Sequence, residues 1–192
     1  MLLDQQAIGE RRMSANLGNI PVLETKRLLL RAITAEDRQA IFGNFSDPDV
    51  ANWFFDKPLT TLEQTDEIIR VFLDDAETGK GFTWAILLKE DLHFLGTCSY
   101  SNVEPGCQAE IGFDLAKEYW GRGFMVEALR AVIEYGFRSM GLEKIVADTY
   151  SHNLQARRVL EKLNFQVDSI ENDAHIYVLL RKDWSMKGEE NG

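Results

Sequence analysis

The spacing of apolar residues changes several times along the chain between strand and helical periodicity. Helical spacing predicts one helix from Thr34 to the break at Asp47-Pro48, and others over 50–55, 61–76, 124–137 and 153–163. A short apolar run over 27–33 predicts a buried first strand. Alternation with a period of two predicts the remaining strands, over 82–88, 94–100, 107–115, 144–150, 165–170 and 175–181.

The connections between these segments predict the topology. Pro105-Gly106 suits the centre of a type II turn, so strand 107–115 should return antiparallel to the strand before it. The strand, helix and strand over 107–150 then predict a right-handed parallel crossover. We therefore expect an α+β (mixed α/β) fold, with a mostly antiparallel central sheet, one parallel β-α-β crossover and helices on both faces. One domain over 23–184 should follow an N-terminal arm over 1–22 and precede a polar tail over 185–192.

A glycine turn lies between the strand and the helix of this crossover. Gly121 and Gly123 flank Arg122 directly before the helix. Glycine has no β-carbon, so the backbone at such a turn can approach a ligand closely and adopt positive φ. A helix N-terminus also offers unpaired N–H groups to an anion. The turn therefore predicts a site for a phosphate-bearing cofactor, to which Arg122 adds a positive charge.

Composition limits the partners of this site. There are 21 Lys and Arg against 31 Asp and Glu, a net charge of −10, which argues against direct nucleic-acid binding and favours a basic or amine-bearing partner. The sequence contains no apolar run of membrane-spanning length and no signal-like start, so we expect a cytoplasmic protein without a membrane partner. The three histidines and two cysteines lack metal-ligand spacing, so no metal is expected.

Three motifs occur in a fixed order, and together they carry a family resemblance. They are Glu24-Thr-x-Arg-Leu-x-Leu-Arg31, Trp120-Gly-Arg-Gly-Phe-Met125, and Asn153 followed by Val159-Leu-Glu-Lys-Leu-Asn-Phe165. The chain thereby resembles the GNAT superfamily, especially its RimJ/RimL ribosomal-protein N-terminal acetyltransferases. Trp120 and Met125 depart from the general Gln/Arg-x-x-Gly-x-Gly/Ala pattern, whereas Tyr-Trp-Gly-x-Gly is familiar in the RimJ/RimL branch.

The resemblance implies a GNAT-like fold and acetyl transfer from acetyl-CoA to a primary amine, by direct attack of the amine on the thioester. The acceptor would be a ribosomal or other protein N-terminus, or a small amine. Backbone N–H groups of the turn would bind the pyrophosphate, the strand before it the pantetheine arm, and the later helix the thioester region and the adenosine phosphates. The cofactor residues so implied are Phe113, Leu115, Arg122, Gly123, Phe124, Met125, Val126, Asn153 and Arg157 or Arg158.

Catalysis would need a base for the incoming ammonium and an acid for the leaving thiolate. The resemblance favours Glu110 as the base, acting directly or through a water, with Asp148 on the neighbouring strand as the alternative. RimJ/RimL-like enzymes can use a serine as the acid, but Ala156 occupies its position here. Tyr150, Ser151 or water would then protonate the thiolate.

The acceptor wall is expected to include Trp53, Phe54 and Asp173, from the segment after Asp47-Pro48 and from the closing hairpin. A second function remains open, because the missing serine also suits a regulatory domain that binds CoA without turnover. The sequence does not specify the acceptor or the oligomeric state, although a homodimer is compatible with it.

Overall fold

Eight strands form one twisted sheet in the order β1-β2-β3-β4-β5-β6-β8-β7. The structure, a computed structural model, describes residues 20–185, so most of the expected arm and tail lies outside the described residues. All neighbouring strands are antiparallel except β5 and β6. The strands are β1 (Leu23–Glu24), β2 (Leu28–Ala32), β3 (Phe82–Leu88), β4 (Phe94–Glu104), β5 (Gln108–Leu115), β6 (Lys144–Tyr150), β7 (Gln166–Glu171) and β8 (Ala174–Leu180).

The helices begin where capping residues precede an apolar stripe. Thr34 caps a single 3-10 turn that leads into the first helix, and Thr61 forms a capping box with Gln64 at the start of the longest one. Gly79 ends that longest helix in the left-handed conformation. The α-helices are α1 (Arg38–Ser46), α2 (Pro48–Ala51), α3 (Leu62–Thr78), α4 (Phe124–Arg138), α5 (Leu154–Lys162) and α6 (Arg181–Ser185).

Each face of the sheet carries its own apolar core. Alternate residues of β3 point to opposite faces, so Trp84 and Ile86 pack with α4 residues such as Leu129, while Ala85 and Leu87 pack with α1 and α3. Both groups are almost fully buried. The expected fold class, a mostly antiparallel sheet with helices on both faces, is confirmed.

Strands β5 and β6 are the two strands of the parallel crossover, and α4 connects them. They pair only over Gln108–Glu110 and Lys144–Val146. Beyond that point β5 continues to Leu115 and β6 to Tyr150, but the two strands no longer pair with each other. The sheet therefore splits, and one edge of β5 is left open beside the N-terminus of α4.

Two predicted segments have an end that lies four residues from its place in the structure. The helix expected over 50–55 is α2, over 48–51, because Asp47 accepts the N–H of Asp49 at 2.9 Å and Pro48 occupies the first turn. The strand expected over 94–100 extends to Glu104, because its end still pairs with β5 through Gln108. Both differences arise from contacts that local periodicity does not encode.

Candidate active site

The glycine turn has the backbone geometry that an anion site requires. Gly121 and Gly123 have φ of 72° and 78°, a left-handed conformation that side chains with a β-carbon disfavour. Gly123 is the N-cap of α4, and its carbonyl accepts the N–H of Glu127 at 3.1 Å. The N–H groups that precede Glu127 in the helix therefore have no intrahelical acceptor. The helix N-terminus offers these donors to a ligand.

A cavity of about 250 Å³ opens in front of these donors. It lies between the first turn of α4, the open end of β5 and one face of α5, and α2 contributes to its wall. The structure brings together there most of the residues that the family resemblance implied. Those that line the cavity are Phe113, Leu115, Gly123, Phe124, Met125, Val126, Asn153, Arg158, Trp53 and Phe54.

The cations of the predicted cofactor site divide into two groups. Arg158 lines the cavity together with Lys162, one helical turn further along α5. Arg157 does not: its guanidinium donates to the hydroxyl of Tyr177 at 3.2 Å and to the carbonyl of Ser151 at 3.0 Å. Of the two arginines left open by the sequence, Arg158 is therefore the one that faces the cavity. Arg157 faces the sheet because successive residues on a helix are about 100° apart.

Arg122 is part of the glycine turn, but its side chain does not line the cavity. Its guanidinium carbon is 5.4 Å from the ring centre of Tyr119 and 5.1 Å from that of Phe124. Both distances suit cation–π contacts, which hold the charge near the turn. Arg122 can therefore contribute to the local positive potential without belonging to the cavity lining.

The open edge of β5 presents main-chain groups to the split in the sheet. The Ala116 N–H donates to the Leu95 carbonyl at 2.7 Å, so the alternating pattern turns the backbone groups of Phe113 and Leu115 away from β4. The Leu115 carbonyl already accepts the indole N–H of Trp120 at 2.7 Å. Phe113 and the Leu115 N–H thus remain for an extended ligand, which would add to β5 like another strand.

Asn153 is the N-cap of α5 and is held rigidly at the cavity wall. Its Oδ1 accepts the Ala156 N–H at 3.1 Å, and the residue is only 8% exposed. This bond uses the oxygen of the amide and leaves the Nδ2 group to donate elsewhere. The cap explains why an asparagine suits this position, and the wall position lets the same side chain contact a ligand.

Glu110 and Asp148 form a pair of carboxyl groups where β5 and β6 separate. Glu110 is half-buried and lies opposite Val146, two residues before Asp148 on the same face of β6. Its Oε2 accepts from Asn102 Nδ2 at 2.7 Å. Burial raises the pKa of Glu110, and the neighbouring Asp148 raises it further, while the Asn102 bond opposes the change. A carboxylate with a raised pKa is a better proton acceptor than an ordinary one.

An aromatic cluster lies next to Asn153. The His152 ring is 5.2 Å from that of Trp53 and 5.6 Å from that of Tyr150. Its Nδ1 is 3.7 Å from Oδ2 of Asp173 in the β7–β8 turn. Three residues predicted separately, Trp53, Tyr150 and Asp173, therefore meet around His152, which was not among the predicted site residues. Its position directly before Asn153 was the only signal in the sequence.

Asp114 is a second residue that the sequence did not single out. Alternation placed it on the same face of β5 as Glu110, yet it is only 5% exposed and lines the cavity. Its carboxylate accepts from the Thr97 hydroxyl and, at 3.0 Å, from Asn44 Nδ2 of α1. Burial raises the pKa of Asp114 to about 6, although these hydrogen bonds oppose the change. The Asp114 carboxylate thereby joins β5 to α1, the helix that precedes the segment containing Trp53 and Phe54.

Within 20–185, no three His, Cys, Asp or Glu side chains are grouped so that they could hold a metal ion. None of the helices in the same range is long and apolar enough to cross a membrane.

Comparison with known proteins identifies the family. The model of the acetyltransferase (GNAT) domain matches residues 27–166. The chain is 32% identical over 151 residues to the uncharacterized N-acetyltransferase YoaA of Bacillus subtilis, covering 78% of this chain and 85% of that protein. It is 27% identical over 108 residues to the ribosomal protein uS5-alanine N-acetyltransferase of Escherichia coli, covering 55% and 54% of the two chains.

Solved structures agree on the fold. RimL, a ribosomal L7/L12 alpha-N-protein acetyltransferase in complex with coenzyme A, matches with a TM-score of 0.77 at 18% identity, over 85% of this chain and 99% of that one. A GNAT-family acetyltransferase from Bacillus anthracis matches with a TM-score of 0.75 at 23% identity, over 84% and 99%. The chain therefore belongs to the GNAT acetyltransferase family and is RimJ/RimL-like.

Proposed function

We propose that this protein is an acetyl-CoA-dependent N-acetyltransferase whose acceptor is the free amino terminus of a protein. One observation carries the proposal. The unpaired N–H groups at the start of α4 open into a cavity that continues along the free edge of β5. One continuous site thereby joins the N–H donors of α4, which suit a diphosphate, to the edge of β5, which suits an amide-containing arm.

In this proposal the pyrophosphate lies on the N–H groups of Phe124, Met125 and Val126, with Arg122 alongside. The adenosine phosphates approach Arg158, and Lys162 adds a second charge on the same face of α5. The protein carries a net charge of −10, so this local group of cations is needed to hold an anionic coenzyme. The pantetheine arm follows β5 through Phe113 and the Leu115 N–H, and its thioester end reaches Asn153.

The chemistry is direct transfer. The acceptor nitrogen, once neutral, attacks the thioester carbon and forms a C–N bond, the C–S bond breaks, and the sulfur leaves as a thiolate. Glu110 receives the proton that the ammonium must lose, directly or through a water, and its raised pKa suits this task. Asp148 is the alternative base. The Tyr150 hydroxyl or a water gives a proton to the thiolate, because Ala156 offers no donor. The second proton, which the nitrogen loses once the C–N bond has formed, restores that donor.

The acceptor class is supported by the relatives and by the site. The uS5 enzyme is named as an alanine N-acetyltransferase of a ribosomal protein, and RimL as an alpha-N-protein acetyltransferase. The cluster of Trp53, Tyr150 and His152, with Asp173 beside it, lies next to Asn153 and carries aromatic faces and a carboxylate, both of which attract an ammonium. Such a protein would work in the cytoplasm, where acetyl-CoA and nascent protein chains are available.

The test is release of CoA thiol from acetyl-CoA in the presence of three matched acceptors. These are peptides with a free N-terminus, the same peptides with a blocked N-terminus, and small polyamines or aminoglycosides. We expect release with the free peptides only, with the added acetyl group located on the α-amine by mass spectrometry. Release with small amines alone would contradict the proposed acceptor. CoA binding without release by any acceptor would instead support a regulatory domain.

A further inference from the structure

The turn between β1 and β2 holds the first turn of α4 through a single carboxylate. Oε1 of Glu127 accepts from the Thr25 hydroxyl at 2.6 Å and from the Arg27 N–H at 2.8 Å. Oε2 accepts from Arg27 Nε at 2.6 Å. The Glu127 side chain is only 19% exposed, so both of its oxygens are fixed by residues about 100 positions earlier in the chain.

The other end of the Arg27 guanidinium reaches the glycine turn itself. Nη1 donates to the Arg122 carbonyl at 3.2 Å, and the guanidinium carbon lies 4.2 Å from the centre of the Phe124 ring. Nη2 lies 3.7 Å from the position that a β-carbon on Gly123 would occupy. One arginine thus contacts the residues on both sides of Gly123, at the point where the chain turns into the anion-binding end of α4.

The negative charge of Glu127 is neutralised by Arg27, and this pairing matters because of where the carboxylate lies. A carboxylate in the first turn of a helix interacts favourably with the helix dipole, but here it also lies one turn from the proposed pyrophosphate. Burial acts to raise the pKa of Glu127, and the bonds from Thr25 and Arg27 outweigh it, so the pKa is lowered and the group stays ionised. Pairing with Arg27 neutralises a charge that would otherwise repel the diphosphate.

We infer that Thr25, Arg27 and Glu127 form a clamp that positions the pyrophosphate turn. The clamp fixes the Arg122 carbonyl and the Phe124 ring from behind, which orients the free N–H groups of α4 toward the cavity. Arg27 is therefore a positioning residue and does not itself line the cavity. This inference rests on the proposed acetyl-CoA site. It gives a physical role to the Glu-Thr-x-Arg segment, which lies about 95 residues before the turn in the sequence.

The experiment compares Arg27→Ala, Arg27→Lys and Glu127→Gln with the wild-type protein. The control is Lys89→Met, which removes the 2.9 Å ion pair with Glu24 beside the same turn; among the described residues this ammonium makes no ion pair with α4. The dissociation constant for CoA is measured by calorimetry, and KM for acetyl-CoA and kcat by thiol release, all well below the unfolding temperature of each variant. Arg27→Lys keeps the positive charge and Glu127→Gln keeps the shape of the side chain, so both keep the test valid if Arg27→Ala does not fold.

We expect Arg27→Ala to raise the dissociation constant and KM about 10-fold, equivalent to about 1.4 kcal/mol, with kcat at saturation within about twofold. Arg27→Lys should give a smaller increase in KM, because the ammonium can still pair with Glu127 but cannot reach the Arg122 carbonyl as well. Lys89→Met should match the wild type. Unchanged CoA affinity in folded Arg27 and Glu127 variants would overturn the clamp alone. A wild-type protein that binds no CoA would overturn both the clamp and the proposed function.

Discussion

The indole N–H of Trp120 donates a 2.7 Å hydrogen bond to the carbonyl of Leu115. This bond joins the end of β5, along which the pantetheine arm is proposed to lie, to the residue directly before Gly121. It also removes one acceptor from the open edge of the strand. Trp120 replaces the Gln or Arg of the general family motif, and its hydrogen bond gives that replacement a physical function.

Replacing Trp120 with Phe should weaken acetyl-CoA binding about three- to tenfold, because a hydrogen bond contributes about 1 kcal/mol net and its loss frees the turn from β5. The matched control is Trp184→Phe. It removes a similar indole bond, 2.6 Å to Glu134, near the opposite end of α4. Equal CoA affinities for the two variants, measured by calorimetry, would show that the Trp120 bond has no special role at the site.

Replacing Glu110 with Gln should lower kcat by about 100-fold or more and leave CoA affinity nearly unchanged, because the side chain keeps its shape and loses only its basic group. The pH profile of kcat/KM should also lose its acidic limb. In the wild type that limb should lie above the range of an ordinary glutamate, since burial and Asp148 raise the Glu110 pKa.

Asp148→Asn is the matched comparison for this prediction. It should reduce turnover less than Glu110→Gln and move the acidic limb to lower pH, because it removes a neighbouring negative charge. If Asp148→Asn abolishes turnover and Glu110→Gln does not, Asp148 is the base. If both variants keep wild-type turnover, neither carboxylate accepts the proton.

The sequence predicted most elements of the fold, because apolar periodicity, glycine turns and capping residues are local signals. It did not predict the two-residue strand β1 or the short helix α6. It also predicted the glycine turn at Gly121 and Gly123, since positive φ is a property of a few neighbouring residues. It did not predict the pairing of Glu127 with Arg27, because the two residues are 100 positions apart and only the folded sheet brings them together. The choice between Arg157 and Arg158 likewise depends on which face of α5 meets the sheet.

Burial of polar groups was the other feature that periodicity could not reveal. Asp114 alternates with apolar neighbours and so follows the pattern of a solvent-facing residue. Helix α1 covers this face of β5, and Asn44 supplies the hydrogen bond that makes burial of the carboxylate tolerable. Alternation predicts which face a side chain takes, but the tertiary packing decides whether that face is exposed.

Asp114 should make the protein less stable as the pH rises through about 6. Its folded-state pKa is raised from 3.8 to about 6, so the folded state binds the proton more tightly than the unfolded state. The stability that this tighter proton binding gives the folded state is fully present below pH 3.8 and is lost as the pH rises through the folded-state pKa of about 6. Over that range it amounts to about 3 kcal/mol in the free energy of unfolding.

Urea unfolding of wild type and Asp114→Asn between pH 4 and about 7.5 measures this effect as the difference between the two proteins. As the pH rises, the free energy of unfolding of the wild type should fall relative to that of Asp114→Asn. Asp168→Asn, on the exposed edge strand β7, should show no such trend. A pH-independent difference for Asp114→Asn would show that its carboxyl titrates normally.

Gly123→Val is the decisive substitution for the proposal that the glycine turn at the start of α4 binds the pyrophosphate of acetyl-CoA. Gly106→Val is the matched control, because Gly106 has φ of 70°, close to the 78° of Gly123, but lies in the β4–β5 turn. Both substitutions impose the same kind of backbone strain. The measurement is the dissociation constant of CoA by calorimetry on folded protein. We predict a loss of more than about tenfold for Gly123→Val and wild-type affinity for Gly106→Val. Wild-type affinity in a folded Gly123→Val protein would show that this turn does not bind the pyrophosphate.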